Sequence, residues 1–390
     1  MFELVNEYNQ NAVIKVIGVG GGGGNAVKSM LESKIHGAEF ILANTDSQAL
    51  DDVRGATMIQ IGSDITKGLG AGADPEKGRL AALEAKEELT DAIMGADMLF
   101  IAAGMGGGTG TGAAPIIAQI ARDAGILTVA VVSKPYEFEG SKRMQYAEEG
   151  IDALSEWVDS LIVIPNEKLS EVYGGDNSIF SAFDNANDVL RGAVKGIAEI
   201  ITIRGFINVD FADVRTVMSG RGKAMMGSGV ASGSNRANDA VNMALSSPLL
   251  ENIDLKNASG VLVNITAGDD LSSKEFSVIG DKVKEIADDS ATIIIGCIKE
   301  DDNLGDLRVT IVATGFDACE LESSAENVET DINLNEGINQ SQNTNINQIT
   351  SNNIQNGMRA EMISDVPKEV IADSDIDDID VPAFLRQQAD

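Results

Sequence analysis

Two glycine-rich stretches carry the residue types best suited to chemistry in this sequence. Gly18-Val19-Gly20-Gly21-Gly22-Gly23 satisfies G-x-G-x-x-G between an apolar run and a helical pattern. Bare backbone N–H groups at such a helix start can hold a phosphate. Gly104-Met105-Gly106-Gly107-Gly108-Thr109-Gly110-Thr111-Gly112 occupies the same kind of junction. Two cradles suit a polyphosphate, with the Thr109 and Thr111 hydroxyls available to phosphate oxygens or to the hydration shell of a magnesium ion. A third stretch, Gly68-Leu69-Gly70-Ala71-Gly72-Ala73, could close over an outer phosphate or serve as a plain loop. No G-x-x-x-x-G-K-[ST] occurs, which excludes a P-loop protein. Alone, the first cradle would equally suit a dinucleotide-binding dehydrogenase, with Asp46 of Asn44-Thr45-Asp46 near the place of the ribose-binding acid.

Asn208-Val209-Asp210-Phe211-Ala212-Asp213 offers carboxylates that could orient and polarise a water attacking a phosphate, or could simply cap and turn the chain. His36 is the only histidine, so a Ser/His/Asp or Cys/His site has one possible imidazole. In Ser33-Lys34-Ile35-His36-Gly37 that histidine reads as the end of a helix closing on glycine. Hydrolysis by this chain therefore relies on carboxylates, amides and a metal ion. Two cysteines, Cys297 and Cys319, cannot build a disulfide framework or a Cys/His metal site, and a reducing cytoplasm fits them.

Positioning these groups requires alternating strands and helices. Val13-Ile14-Lys15-Val16-Ile17-Gly18-Val19 is the β-branched run of a buried parallel strand, and Asn25 to Leu31 a helix pattern. Strands are expected again at Phe40–Ala43, Met98–Ala103, Leu127–Ser133 and Ser160–Pro165, with helices at Arg79–Leu89, Ala113–Asp123 and Lys142–Asp159. Asp74-Pro75-Glu76 reads as a helix cap with proline in the first turn. This is a doubly wound, Rossmann-like parallel sheet. Ser178 to Ile203 then has the spacing of one long helix, with Ile179, Phe183, Leu190, Val194, Ile197 and Ile201 along it. After a Gly-, Met- and Ser-rich segment reaching about Gly233 comes a second, smaller α/β unit. It has strands at Val261–Ala267, Ala291–Ile298 and Leu307–Thr314 and helices at Ala237–Leu245 and Ser272–Asp288.

The 390 residues carry 61 acids and 29 bases, a net charge of -32, which repels phosphate backbones and makes general nucleic-acid binding improbable. No apolar run is long enough to span a membrane, and Met1 to Ala12 lacks the basic and apolar regions of a secretory signal. From Cys319 to Asp390 there are 15 acids and 3 bases, and residues 331–360 hold nine Asn and four Gln. Such a segment cannot form a core and reads as a flexible acidic tether. Its end differs: Ile376-Asp377-Asp378-Ile379-Asp380-Val381-Pro382-Ala383-Phe384-Leu385-Arg386 spaces Ile, Val, Phe and Leu as a docking peptide would.

Gly106 to Gly112, GGGTGTG, resembles the tubulin signature loop, and Asn208 to Asp213, NVDFAD, resembles the FtsZ family of bacterial, tubulin-like division GTPases. The resemblance runs in order from about Val13 to Phe316, takes in Asn44-Thr45-Asp46 and Ser246-Ser247-Pro248-Leu249-Leu250, and resumes at the C-terminal peptide. It implies a tubulin-like fold that binds GTP or GDP, with Mg2+ held mainly by the nucleotide phosphates. Gly21, Gly22, Gly23, Gly24 and Asn25, with Gly106, Gly107, Gly108, Thr109, Gly110 and Thr111, would contact the phosphates, and Gly72 and Ala73 would close over them. By resemblance Glu139 is the ribose ligand and Arg143 the phosphate-side cation. Phe183 would stack on guanine, and Asn166 and Asn187 would meet its edge. Position 187 is often Asp in relatives, and an amide there offers one acceptor and one donor instead of two acceptors.

The resemblance also implies that Asn208, Asp210 and Asp213 act on the GTP of the next subunit in a head-to-tail filament, the scaffold of the cytokinetic ring. Implied partners are further copies of the chain, membrane-tethering adaptors such as FtsA and ZipA at residues 376–390, and Min-type assembly inhibitors. The corresponding domains are a GTP-binding domain at 1–177, a central helix at 178–203, a C-terminal α/β domain at 204–316, a disordered linker at 317–375 and the docking peptide at 376–390. A Rossmann-type oxidoreductase would leave the second cradle, the NVDFAD stretch and the docking peptide without purpose. A nucleotide-binding scaffold without turnover would not need Asp210 and Asp213.

Overall fold

The computed structural model describes residues 12–316 except 34, 36, 52, 174–177, 204, 221, 248, 251–254, 289 and 301–304. His36, Cys319, the linker and the docking peptide lie outside the described residues. Ten strands form one sheet: β1 Ile14–Val19, β2 Ala38–Asn44, β3 Ala56–Gln60, β4 Met98–Gly104, β5 Leu127–Lys134, β6 Ser160–Pro165, β7 Lys223–Ser232, β8 Gly260–Ala267, β9 Thr292–Lys299 and β10 Asp306–Phe316. Their spatial order is β3-β2-β1-β4-β5-β6-β7-β10-β8-β9. All pairs from β3 to β7 are parallel, β10 is antiparallel to both β7 and β8, and β8 and β9 are parallel. The second α/β unit thus shares the first unit's sheet, joined where Leu161 and Ile162 of β6 pair with Lys223 and Ala224 of β7.

Eleven α-helices are described: α1 Gly20–Glu32, α2 Ser63–Thr66, α3 Pro75–Glu84, α4 Lys86–Ile93, α5 Gly108–Asp123, α6 Ser141–Ser155, α7 Asn166–Tyr173, α8 Ile179–Thr202, α9 Phe211–Met218, α10 Arg236–Leu245 and α11 Ser273–Ile286. The side-chain alternation of a strand explains why helices cover both faces of the sheet. On β4, Met98, Phe100 and Ala102 pack with Val27 and Met30 of α1 and with Leu190, Val194 and Ile197 of α8. Their neighbours Leu99, Ile101 and Ala103 face the opposite way, onto Ala113, Ala114 and Ile117 of α5 and Ala147 of α6. In the C-terminal part, Val261, Val263 and Ile265 of β8 pack with Val241 of α10 and with Ile279 and Val283 of α11. Leu262 turns to the α8 side.

Two differences from the sequence pattern bear on function. The first two glycine stretches run on into the helices: α1 begins at Gly20 and α5 at Gly108, so residues 20–24 and 108–112 are the first turns themselves, with 105–107 leading in from β4. The helix expected at Arg79–Leu89 is instead two, broken at Ala85, whose φ of -91° and ψ of 20° leave the helical region.

The buried stripe of α8 contains one acid, Glu199, 8% exposed, whose Oε1 lies 3.5 Å from Lys195 Nζ one turn earlier. Burial pushes its carboxyl above the ordinary value of 4.5, and the nearby Lys195 and Arg308 only partly oppose this. A raised folded-state pKa stabilises the fold fully below the unfolded value, and that stabilisation is lost as pH rises through the folded value. Glu199→Gln should therefore raise the thermal unfolding midpoint at pH 7.5, with the gain shrinking as pH is lowered toward 4.5. Thermal unfolding of both chains across that range checks it; a destabilised variant at pH 7.5 would count against the burial argument.

Candidate functional site

The order of the parallel strands reverses between β1 and β4, because β1 leads through α1 to β2 on one side while β4 leads through α5 to β5 on the other. Such a switch point leaves a crevice beyond the carboxyl ends of the two strands. Here the crevice is walled by the starts of α1 and α5 and forms a cleft of about 290 Å³. Gly20, at φ 70°, brings the two starts together: a Cβ there would lie 3.0 Å from the Gly110 nitrogen. The first N–H groups of a helix lack intrahelical partners and sit at the positive end of its dipole. In α1 these belong to Gly20, Gly21 and Gly22. In α5 Gly108 N–H is taken by the Gly72 carbonyl at 2.8 Å, leaving Gly107, Thr109 and Gly110. The geometry is that of an anion site with two helix starts as donors.

The cleft wall brings together Gly21, Gly22, Asn25, Gly72, Gly107, Gly108, Thr109, Gly110, Glu139, Arg143, Asn166, Phe183 and Asn187. Gly23, Gly24, Ala73, Gly106 and Thr111 are not on that wall. Gly23 serves packing, since a Cβ there would sit 2.1 Å from the Ala102 carbonyl oxygen. The Thr111 side chain is buried, and its Oγ1 accepts from Gly106 N–H at 2.8 Å, which shapes the turn. Thr109 Oγ1 is 2.6 Å from Thr45 Oγ1, which also accepts from Ala71 N–H at 3.0 Å, so this hydroxyl ties the second cradle to the third stretch. Asp46 spends its carboxylate on Gln48 N–H, a local turn 3.0 Å long, and is not on the wall where a dinucleotide reading needs it.

Sequence reading misses Ser133, Pro135 and Ala186 on the wall, and gives Gly104 and Met105 only as part of the second glycine stretch and Thr45 only as part of Asn44-Thr45-Asp46. Gly104 and Ser133 end or nearly end β4 and β5. Knowing the strand order would have pointed to them, because a switch point exposes those carboxyl ends.

At the far end of the cleft the donors change from backbone to side chain. Glu139 opens the turn into α6: its Oε1 accepts from Tyr136 N–H at 2.9 Å and its Oε2 pairs with Arg143 Nε at 3.1 Å. Phe183 and Asn187 lie one turn apart on α8, with buried Ala186 beside them. Phe183 remains 40% exposed, an open aromatic face. Asn166, where β6 becomes α7, is 4% exposed, and its Oδ1 has no hydrogen-bond partner among the described residues. An orphaned buried acceptor costs about 1–3 kcal/mol, so this atom suits a ligand that brings an N–H donor. Asn166 and the Phe183 face line the same cleft.

Asn208, Asp210 and Asp213 are not on the cleft wall. They follow the C-terminus of α8, where Asn208 Oδ1 accepts from Gly205 N–H at 2.8 Å and Asp210 starts α9. All three are exposed. Ile207, just before Asn208, is held to Cys297 of β9 by two backbone hydrogen bonds, of 3.3 and 3.2 Å. The most perturbed carboxyl among the described residues, Glu275, is held down to about 2 by its hydrogen bonds to Arg236, a pair that ties α11 to α10 away from the cleft.

A parallel sheet with two glycine helix starts at its switch point, and a 24-residue helix leading from there to a second half-sheet, is the arrangement of a tubulin-like GTPase. Residues 13–174 match the Tubulin/FtsZ family, GTPase domain, and residues 222–317 match the FtsZ family, C-terminal domain. The chain is 51% identical to the cell division protein FtsZ of Pseudomonas aeruginosa, with 100% of each chain covered. It is 57% identical to that of Buchnera aphidicola over 316 residues, 81% of this chain and 82% of the other. A solved FtsZ dimer of M. jannaschii superimposes with a TM-score of 0.75 at 44% identity, covering 78% of this chain and 88% of that one. The chain belongs to the FtsZ family, and it is a GTP-binding cell-division GTPase.

Proposed function

We propose that the chain polymerises head to tail, and that Asn208, Asp210 and Asp213 of one subunit complete the cleft of the next and drive its GTP hydrolysis. One observation carries this reading. Phe183 of the cleft and the Asn208–Asp213 loop stand at opposite ends of α8. At 1.5 Å per residue, Phe183 to Thr202 alone spans about 28 Å. No carboxylate crosses that distance, which supports a role for these exposed acids at another subunit's cleft rather than their own. A contact joining opposite ends of identical chains is heterologous and does not close, so it makes filaments.

Within the completed site, the helix-start N–H groups and Arg143 neutralise the phosphates, Glu139 meets the ribose, and Asn166, Phe183 and Asn187 hold guanine. Asp210 and Asp213 orient and polarise the attacking water, with Asn208 beside them. Among the described residues, the one acidic side chain on the cleft wall is Glu139, already engaged with Tyr136 and Arg143. A magnesium ion would therefore be held mainly by the nucleotide's own phosphates, where it neutralises charge. Filaments of this kind scaffold the division ring, and residues 376–390 dock on membrane adaptors of the FtsA or ZipA kind, with Min-type inhibitors limiting assembly. The apolar spacing of Ile379, Val381, Phe384 and Leu385 in an acidic tail supports that docking role. The domain division at 177, 203, 316 and 375 follows from the same reading.

Sedimentation in magnesium buffer tests assembly. Most of the protein should pellet with GTP and little with GDP. Equal pelleting with both, or with neither, would remove the filament reading.

A further inference from the structure

We propose that Tyr136 is a positioning residue that sets the base and ribose contacts of the cleft as one unit; the proposal rests on the guanine-nucleotide reading above. Tyr136 is not on the cleft wall and is 2% exposed. Its ring nevertheless stands edge-on to Phe183, centroids 5.5 Å apart at 89°, and its hydroxyl donates to the Ala182 carbonyl at 3.0 Å. Both contacts fall on the first turns of α8, so they fix where that helix start and its exposed aromatic face stand. The backbone of the same residue fixes the ribose side, because its N–H holds Glu139 Oε1 at 2.9 Å while Glu139 Oε2 holds Arg143. The next residue joins the remaining wall, Glu137 N–H donating to Glu167 Oε2 at 3.3 Å beside Asn166. On its outer face the Tyr136 ring stacks on Phe138, 4.9 Å away at 12°, and Phe138 is 63% exposed.

A half-exposed phenyl ring has broad freedom about its terminal torsion, and an edge-on neighbour restricts it. Tyr136 therefore pre-organises Phe183 for stacking and keeps Glu139 at the distance the sugar requires. Phosphate contacts from the starts of α1 and α5 do not pass through it, and Arg143 is reached only by way of the Tyr136 backbone N–H, which a side-chain substitution leaves in place. The role is consequently selective: loss of Tyr136 contacts should weaken nucleoside binding and spare binding of a bare phosphate chain.

Calorimetric titration of the full chain with GDP and with inorganic pyrophosphate separates these effects. Tyr136→Phe keeps the ring and the backbone N–H and removes the hydroxyl with its bond to Ala182. Its GDP affinity should fall roughly threefold to tenfold, with pyrophosphate affinity unchanged and the unfolding midpoint of the unliganded chain lowered only by the few degrees that one lost hydrogen bond costs. Tyr136→Leu should lose about another tenfold for GDP as the edge contact goes. Wild-type GDP affinity in both variants overturns the proposal while leaving the nucleotide site standing. Equal weakening toward GDP and pyrophosphate also overturns it, because the residue would then support the whole cleft without selectivity. If the wild-type chain binds pyrophosphate but not GDP, the guanine reading falls and takes this proposal with it.

Discussion

Asp213→Ala is expected to retain GDP affinity and GTP-dependent pelleting but to lose GTP turnover by a factor of about 10² or more, the usual effect of removing a group that positions or polarises the attacking water. Asp213 is exposed and stands a helix length from the cleft of its own chain, so neither folding nor nucleotide capture depends on it. The sharper expectation concerns mixtures. A chain with an intact cleft but no Asp213, and a chain with a damaged cleft but an intact loop held at GTP concentrations too low to fill that cleft, each turn over little alone. If the loop acts on the neighbouring subunit, roughly a quarter of the contacts in a random 1:1 filament join an intact cleft to an intact loop, and turnover returns. If the loop acts within its own chain, no subunit holds both halves and none returns. Phosphate release from a mixture of Asp213→Ala with a cleft variant such as Gly107→Ser reads this directly. Co-pelleting of both chains without recovered turnover would overturn the assignment in trans.

Much of this arrangement was legible in the sequence because its elements are bounded by strong local signals. The β-branched run before Gly18, the Asp74-Pro75 cap and the long apolar stripe of α8 each announce one kind of element. Strand β7 escaped because Lys223 to Ser232 has few β-branched residues and contains Gly227 and Gly229, which argue against a strand interior. The reason for both glycines is tertiary. A Cβ at Gly227 would lie 2.0 Å from the Ala244 carbonyl oxygen and one at Gly229 2.2 Å from that of Ala240, so the strand is glycine-rich because α10 lies directly upon it. The same logic applies at Gly23, whose bareness lets α1 pack on β4. A sequence shows that a side chain is absent; only packing shows whether ligand or backbone needs the space. The relation of Thr45 and Ser133 to the cleft stayed hidden for a different reason, since it depends on the order of strands far apart in the chain. The Asn208–Asp213 stretch was conspicuous as a motif, but its place relative to the cleft follows from where α8 begins and ends.

That distinction between packing glycines and cleft glycines gives the other large expected effect. Gly107 and Gly108 are adjacent, both are on the cleft wall, and neither has a positive φ. Yet a Cβ at Gly108 would lie 2.5 Å from the Gly72 carbonyl oxygen and 2.8 Å from that of Asp74, whereas one at Gly107 would meet nothing within 4 Å. Gly108→Ser must therefore push the third glycine stretch away and strain the 2.8 Å bond from Gly108 N–H to Gly72. Overpacking of this kind costs about 1–3 kcal/mol, so the unliganded chain should unfold at a lower temperature and GTP affinity should fall with it. Gly107→Ser should leave the unliganded unfolding midpoint unchanged, because nothing in the fold opposes the new side chain. Its hydroxymethyl group enters space next to the free N–H groups at the start of α5, and GDP affinity should drop by roughly tenfold or more as the phosphate loses its close approach to bare backbone. Thermal unfolding without nucleotide, together with titration of GDP, distinguishes the two variants. Undiminished GDP affinity in Gly107→Ser would mean that the start of α5 does not receive the phosphates, and an unchanged midpoint in Gly108→Ser would mean that the contact with Gly72 yields without cost.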